Sequence, residues 1–216
     1  MTITEEVTAM TSLAGEQPKL TNYFLNSDNS WKPYAEKTEF IQYVSPIGGI
    51  PIDEKVANVD FIKLPFYKDV ILVRILIDRH AEMPEYFFFA RVGKEFILIN
   101  GDSNTFFEIN RKAGFEVNED TVLEYLKFFC LFLMTEEGSF FIIEGPESEF
   151  IADRSGYDRD RVLKGYDGAM IEQVVDNSRL RVSARVLHGN GYYDSLFSVY
   201  KDGAIEMEQD VFLFSA

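Results

Sequence analysis

The sequence predicts an α+β protein built on a largely antiparallel sheet, with one long helix at about 119–134 packed on it and a C-terminal β-meander. Three observations carry this. Short β-branched and aromatic runs are divided by tight turns such as Gly93-Lys94, Asp176-Asn-Ser178, His188-Gly-Asn-Gly191 and Lys201-Asp-Gly203. Between residues 118 and 138 the spacing changes, and Val122, Leu126, Phe129 and Leu133 recur at helical intervals. The chain also holds 20 Phe and 11 Tyr in 216 residues, and aromatic side chains favour pleated, half-buried surfaces.

Residues 1–22 are rich in Thr and Glu and keep no period, so they are expected to form a flexible arm ahead of a single domain over 23–216. From Tyr23 to Lys68, scattered aromatics alternate with Pro33, Pro46, Gly48, Gly49 and Pro51. That pattern suggests a segment wrapped over the core, with one short helix around 33–44. Val70 to Ile77 is a β-branched run that suits a strand. Tyr86–Val92 and Glu95–Asn100 flank Gly93-Lys94 as a hairpin, with glycine where the turn requires positive φ. Thr105–Asn110 is expected as a fourth strand.

The helix then opens with Asn118 as N-cap, has Glu119 and Asp120 at the positive end of its dipole, and stops before Gly138. Its apolar stripe is wide enough to lie on a sheet, so Leu126→Ala is expected to cost about 2–5 kcal/mol. Phe140–Ile143 resumes as a strand. Residues 144–168 are polar and turn-rich, with a helical turn near 160–164, and a split into two subdomains near 145–168 is the alternative to a single domain. Strands follow at 169–175, 180–187, 192–200 and 204–214. In the second of these, Leu180, Val182, Ala184 and Val186 point one way and Arg179, Arg181, Ser183 and Arg185 the other, with Asp194, Glu206 and Glu208 available to oppose the arginines.

The formal net charge is −15 and the pI about 4.5. Such a field repels phosphate backbones and anionic lipid surfaces, which argues against nucleic-acid and membrane partners. No apolar run approaches the roughly 20 residues needed to span a bilayer. Cys130 is the sole cysteine, so no intramolecular disulfide can form. The start Met1-Thr-Ile-Thr-Glu-Glu lacks a basic, apolar leader, and the expected setting is cytoplasmic and reducing.

Tests for chemistry return no catalytic residues, metal ligands or cofactor site. The two histidines, His80 and His188, sit at a strand end and in a Gly-rich turn, with no HxxxH, HxH or CxxC spacing. Asp78-Arg79-His80 reads as a solvated strand end. Cys130 lies among Phe, Leu and Met, surroundings that keep a thiol protonated. No GxSxG surrounds a serine, and Gly48-Gly49 and Gly189-Asn-Gly191 match no phosphate-binding loop.

What remains is an Arg/Tyr patch of Arg181, Arg185, Tyr192 and Tyr193, residue types enriched at interaction hot spots. Its rival reading is a salt-bridged outer sheet face, on which Arg185→Ala would change stability by no more than about 0.5–1 kcal/mol. The 144–168 connection, with Arg154, Tyr157, Arg159 and Arg161, is a second binding candidate. The functional expectation is therefore a soluble, non-enzymatic protein-interaction module, of adaptor or inhibitor kind, with a protein partner. The alternative is a small-molecule carrier or enzyme with a pocket inside the curved sheet. A cystatin-like arrangement, one helix cradled by a curved sheet, is compatible with this order of elements.

Overall fold

The computed structural model describes residues 31–48, 52, 53, 55, 57–77, 85–146, 148, 151 and 156–216. The expected arm at 1–22, Asp78-Arg79-His80 and Arg154 lie outside them. The chain falls into two compact units divided between Thr105 and Phe106, and the connection 144–168 lies within the second. The fold is of the α+β class, with every strand pairing antiparallel. The described strands form two sheets, however, and the meander belongs to its own.

The first unit runs β1 (Lys32–Pro33), α1 (Lys37–Gly48), β2 (Ala57–Lys63), β3 (Val70–Ile77), β4 (Glu85–Val92) and β5 (Glu95–Leu98), with the strands adjacent in chain order. Alternation in β2 sets Ala57, Val59 and Phe61 opposite Ile77, Ile75 and Val73, and the last two in turn face Phe87 and Phe89. Helix α1 lays Phe40, Ile41 and Val44 into this apolar face. Phe40 meets Phe89 edge-on at 5.5 Å and Phe96 at 4.7 Å. Val92 pairs with Glu95 across Gly93-Lys94, and Gly93 has φ 62° as the hairpin demands.

The second unit takes up α2 (Ser103–Ala113) from Phe106, then α3 (Val122–Phe132), β6 (Phe140–Ile142), α4 (Gly156–Leu163), β7 (Met170–Asp176), β8 (Arg179–His188), β9 (Gly191–Tyr200) and β10 (Ile205–Ser215). Strand order is β10-β9-β8-β6, with β7 alongside the first half of β8 and β6 alongside its end.

Two expectations need correction. Thr105–Asn110 is no strand but part of α2. Phe106, Ile109 and Asn110 are buried while Phe107, Glu108 and Arg111 are exposed, a helical period. Asp102 caps the start through its carboxylate, which accepts the Asn104 N–H at 2.9 Å. Gly114, at φ 59°, closes the end, where the Phe115 N–H reaches Asn110 O at 3.0 Å. The second correction concerns the long helix, which is eleven residues, not sixteen. The Asn118 side chain instead organises the preceding turn, accepting the Asp120 and Thr121 N–H groups at 2.9 and 3.2 Å. The chain turns extended at Leu133, ψ 127°, so Gly138 serves a later turn.

Helix α3 is apolar around its buried surface apart from the Tyr125 hydroxyl, with Leu126 and Phe128 inaccessible to solvent. Phe128 and Phe129 pack on Phe106 at 5.6 and 4.8 Å. The Tyr125 hydroxyl donates to Gly203 O and accepts from Asn110 Nδ2, both at 2.8 Å. Asn110 Nδ2 also reaches Asp202 O at 3.2 Å, which ties the β9–β10 turn to α2 and α3. On β8, Leu180, Val182, Ala184 and Val186 are buried, the residues that alternation set on one face, and Phe197 and Val199 of β9 are buried beside them. Among the described residues no helix is long and apolar enough to cross a membrane.

Candidate functional site

The arginine face of β8 is largely occupied by the protein itself. Arg181 Nη2 lies 2.6 Å from Glu208 Oε2, and Nε donates to Oε1 at 3.2 Å. Glu208 also accepts the Ser198 hydroxyl; that bond, with Arg181, holds its carboxyl below the usual range.

Arg185 stands directly opposite Asp194 and forms a two-pronged pair with it, at 2.7 and 2.9 Å. Nη1 donates to Val162 O and, at 3.3 Å, to Lys164 O. The guanidinium lies 4.9 Å from the centre of the Tyr166 ring. The Tyr166 hydroxyl accepts the Arg185 backbone N–H at 2.9 Å and donates to Ile143 O at 2.7 Å, and burial pushes its pKa up to about 12. Arg185 is only 6% exposed, so an outer sheet face is the wrong description of it. Strand alternation set its direction correctly, but α4 and the chain after it cover that end of the sheet.

The 144–168 connection is the covering layer. Ile143, Ile151 and Val162 form a buried cluster with Tyr192 and Phe214. Arg161 lies 3.9 Å over the Phe214 ring, and Arg159 donates to Pro146 O at 2.7 Å. The two stretches that read as separate binding candidates thus bind each other. Tyr192 is buried against Phe214 at 5.1 Å. Tyr193 reaches a different, partly exposed setting, packing edge-on against Phe212 at 5.5 Å. Gly191 makes room for that pair, since a Cβ there would stand 2.8 Å from Tyr193 and 3.1 Å from Phe212.

Phe212 belongs to the most exposed apolar strand segment of the second unit. β10 is a terminal strand of its sheet and pairs only with β9 among the described strands. Val211 and Phe212 are 56% and 55% exposed, and Met207 38%. Register shifts at Met207/Gln209 and Phe212/Phe214 leave Gln209–Phe212 as the regular run between two bulges. An open groove of about 480 Å³ crosses the face of the same sheet from β7 to β10, lined by Glu172, Arg181, Asp194, Leu196, Gln209 and Val211 among others. A strand edge offers unpaired N–H and C=O groups to another chain, and here apolar side chains flank it.

Chemistry-bearing groups elsewhere are engaged structurally. His188 stacks on Phe140 at 3.9 Å, with Nε2 3.0 Å from Thr135 Oγ1 and Nδ1 3.7 Å from Glu137. A Glu–His–Thr relay needs a hydroxyl proton free to pass to the imidazole. The Thr135 hydroxyl donates instead to Gly138 O at 2.8 Å, so the cluster clasps the turn to the end of β8. Cys130 is buried, which pushes its thiol far above the usual range. In the first unit, Arg74 pairs with Asp60 at 3.0 Å and lies 4.2 Å over Trp31. Among the described residues no group of three or more His, Cys, Asp or Glu is placed to hold a metal. Comparison with protein-family models, curated proteins and solved structures finds no match to this chain.

Proposed function

We propose that the chain is a protein-interaction module, of adaptor or inhibitor kind, which takes an extended segment of its partner along the outer edge of β10. The observation that carries this reading is a terminal strand bearing Val211 and Phe212 more than half exposed. Strand addition uses main-chain hydrogen bonds for affinity and alternate side chains for specificity. Val211 points to the groove side, opposite Asp194, and Phe212 to the other, beside Tyr193. Among the described residues, buried large side chains favour this reading over an internal pocket. Tyr125, Tyr192, Phe40, Phe89, Phe106 and Phe128 are all essentially inaccessible.

The test compares the native chain with a Val211→Lys/Phe212→Ser variant, both immobilised and exposed to lysate of the expressing cells. Exposed substitutions should leave the urea midpoint within about 0.5 kcal/mol of native stability. The native chain is expected to retain a protein that slows amide exchange over 205–215, and the variant to lose it. Equal retention by both would sink the proposal.

A further inference from the structure

We infer that the segment taken by β10 is basic as well as apolar, with lysine or arginine on the groove side of the added strand and β-branched or aromatic residues on the other. This rests on the reading of β10 as the interface and adds the chemistry of the occupant. From Ile205 to Ala216 the chain carries Glu206, Glu208 and Asp210 and no cation. The free strand at the opposite side, β7, carries Glu172 and Asp176 and again no cation. A second copy of β10, or β7, laid on this strand brings further acid and no cation, so neither supplies the opposite charge that stabilises a cross-strand pair. Charge therefore disfavours self-pairing at this edge. Charge and bulges are the usual means of protecting an edge, but protection alone does not call for Val211 and Phe212 to be left exposed. An apolar strand of opposite charge satisfies both features.

β10 itself gives the cation a destination. Glu206 is exposed, accepts the Tyr200 hydroxyl at 2.8 Å and stands opposite Ser198, on the same side of the sheet as Val211. An ammonium on the added strand directly across from Glu206 forms an opposite-charge cross-strand pair, and the methylene stem of another, across from Val211, covers that apolar side chain. On the other side the strand meets Phe212 and Tyr193, whose rings accept an apolar or aromatic neighbour.

The experiment uses three labelled peptides of alternating Lys/Val, Gln/Val and Glu/Val, titrated into the full chain by fluorescence anisotropy at low and high salt. Hydrogen exchange is followed in parallel. The Lys peptide is expected to bind roughly tenfold or more tighter than the Gln peptide and to weaken as salt screens the pairing. It should also slow exchange across 205–215. A Glu206→Gln variant should bring its affinity down towards that of the Gln peptide. Equal binding of Lys and Gln peptides at every salt, with β10 protected, would overturn the basic occupant and leave strand addition standing. Failure of every peptide to slow exchange in β10, including a Lys peptide that binds elsewhere, would overturn strand addition itself.

Discussion

Removing the guanidinium of Arg185 strands several acceptors at once. Asp194 loses both prongs of its pair, the carbonyl of Val162 loses a donor in a buried setting, and that of Lys164 loses a longer bond in a part-buried one. Each buried acceptor left without a partner costs about 1–3 kcal/mol, while Asp194, nearly half exposed, is partly rehydrated. Arg185→Ala is therefore expected to destabilise the protein by about 2–4 kcal/mol in urea melts. Arg185→Lys should recover only a minor part, because one ammonium cannot reproduce a planar fork aimed at a carboxylate and two carbonyls. A loss below about 0.5 kcal/mol for the alanine variant would return Arg185 to the surface role that strand alternation first suggests. Alternation reveals which way a side chain points, but not what lies in that direction, and the covering layer comes from a connection with no strong period of its own.

Turns and caps decide which elements can be read from sequence. Val70–Ile77 was legible as a β-branched run, and the Gly93-Lys94 hairpin and the meander turns at Gly189 and Gly203 because glycine supplies positive φ there. The helix Ser103–Ala113 was not, since Thr105, Phe106 and Ile109 look like strand residues one by one. The signal lay at its ends, in Asp102 and Gly114, whose separation suits three helical turns. Strand β2 was missed because breakers surround it, although Ala57, Val59 and Phe61 alternate with Asn58 and Asp60. The candidate edge was half legible: β10 itself was expected, but exposure of Val211 and Phe212 depends on which strand ends the sheet.

Glycines at these turns are not equivalent, and that difference is measurable. Gly93, φ 62°, has open space where a Cβ would go, so Gly93→Ala should cost only the left-handed backbone penalty, about 1–2 kcal/mol. Gly203, φ 87°, would place its Cβ 2.1 Å from Asn110 Nδ2 and 2.6 Å from the Tyr125 hydroxyl. Gly203→Ala must therefore also break the network joining the β9–β10 turn to α2 and α3, and a loss above about 3 kcal/mol is expected. Equal urea midpoints for the two variants would mean that the network yields freely.

At the scale of the whole molecule, each unit carries its own sheet and its own buried cluster. Phe40, Val73, Ile75 and Phe89 serve the first, and Ile143, Val162, Tyr192 and Phe214 the second. A unit with its own core has the means to unfold on its own. The sequence supplies one natural reporter for each. Trp31, the sole tryptophan, lies in the first unit under the Arg74 guanidinium, and Cys130, the sole cysteine, is buried in α3 of the second. Tryptophan fluorescence therefore follows the first unit through a urea titration, and the reaction of Cys130 with a thiol reagent follows the second. The native thiol should be inert, because the reagent needs both access and thiolate. The two signals are expected to give different midpoints, each with an m-value smaller than a single transition of the full chain would show. Coincident midpoints with a full-chain m-value would instead make the protein one cooperative unit, and the division between Thr105 and Phe106 would then carry no independent stability.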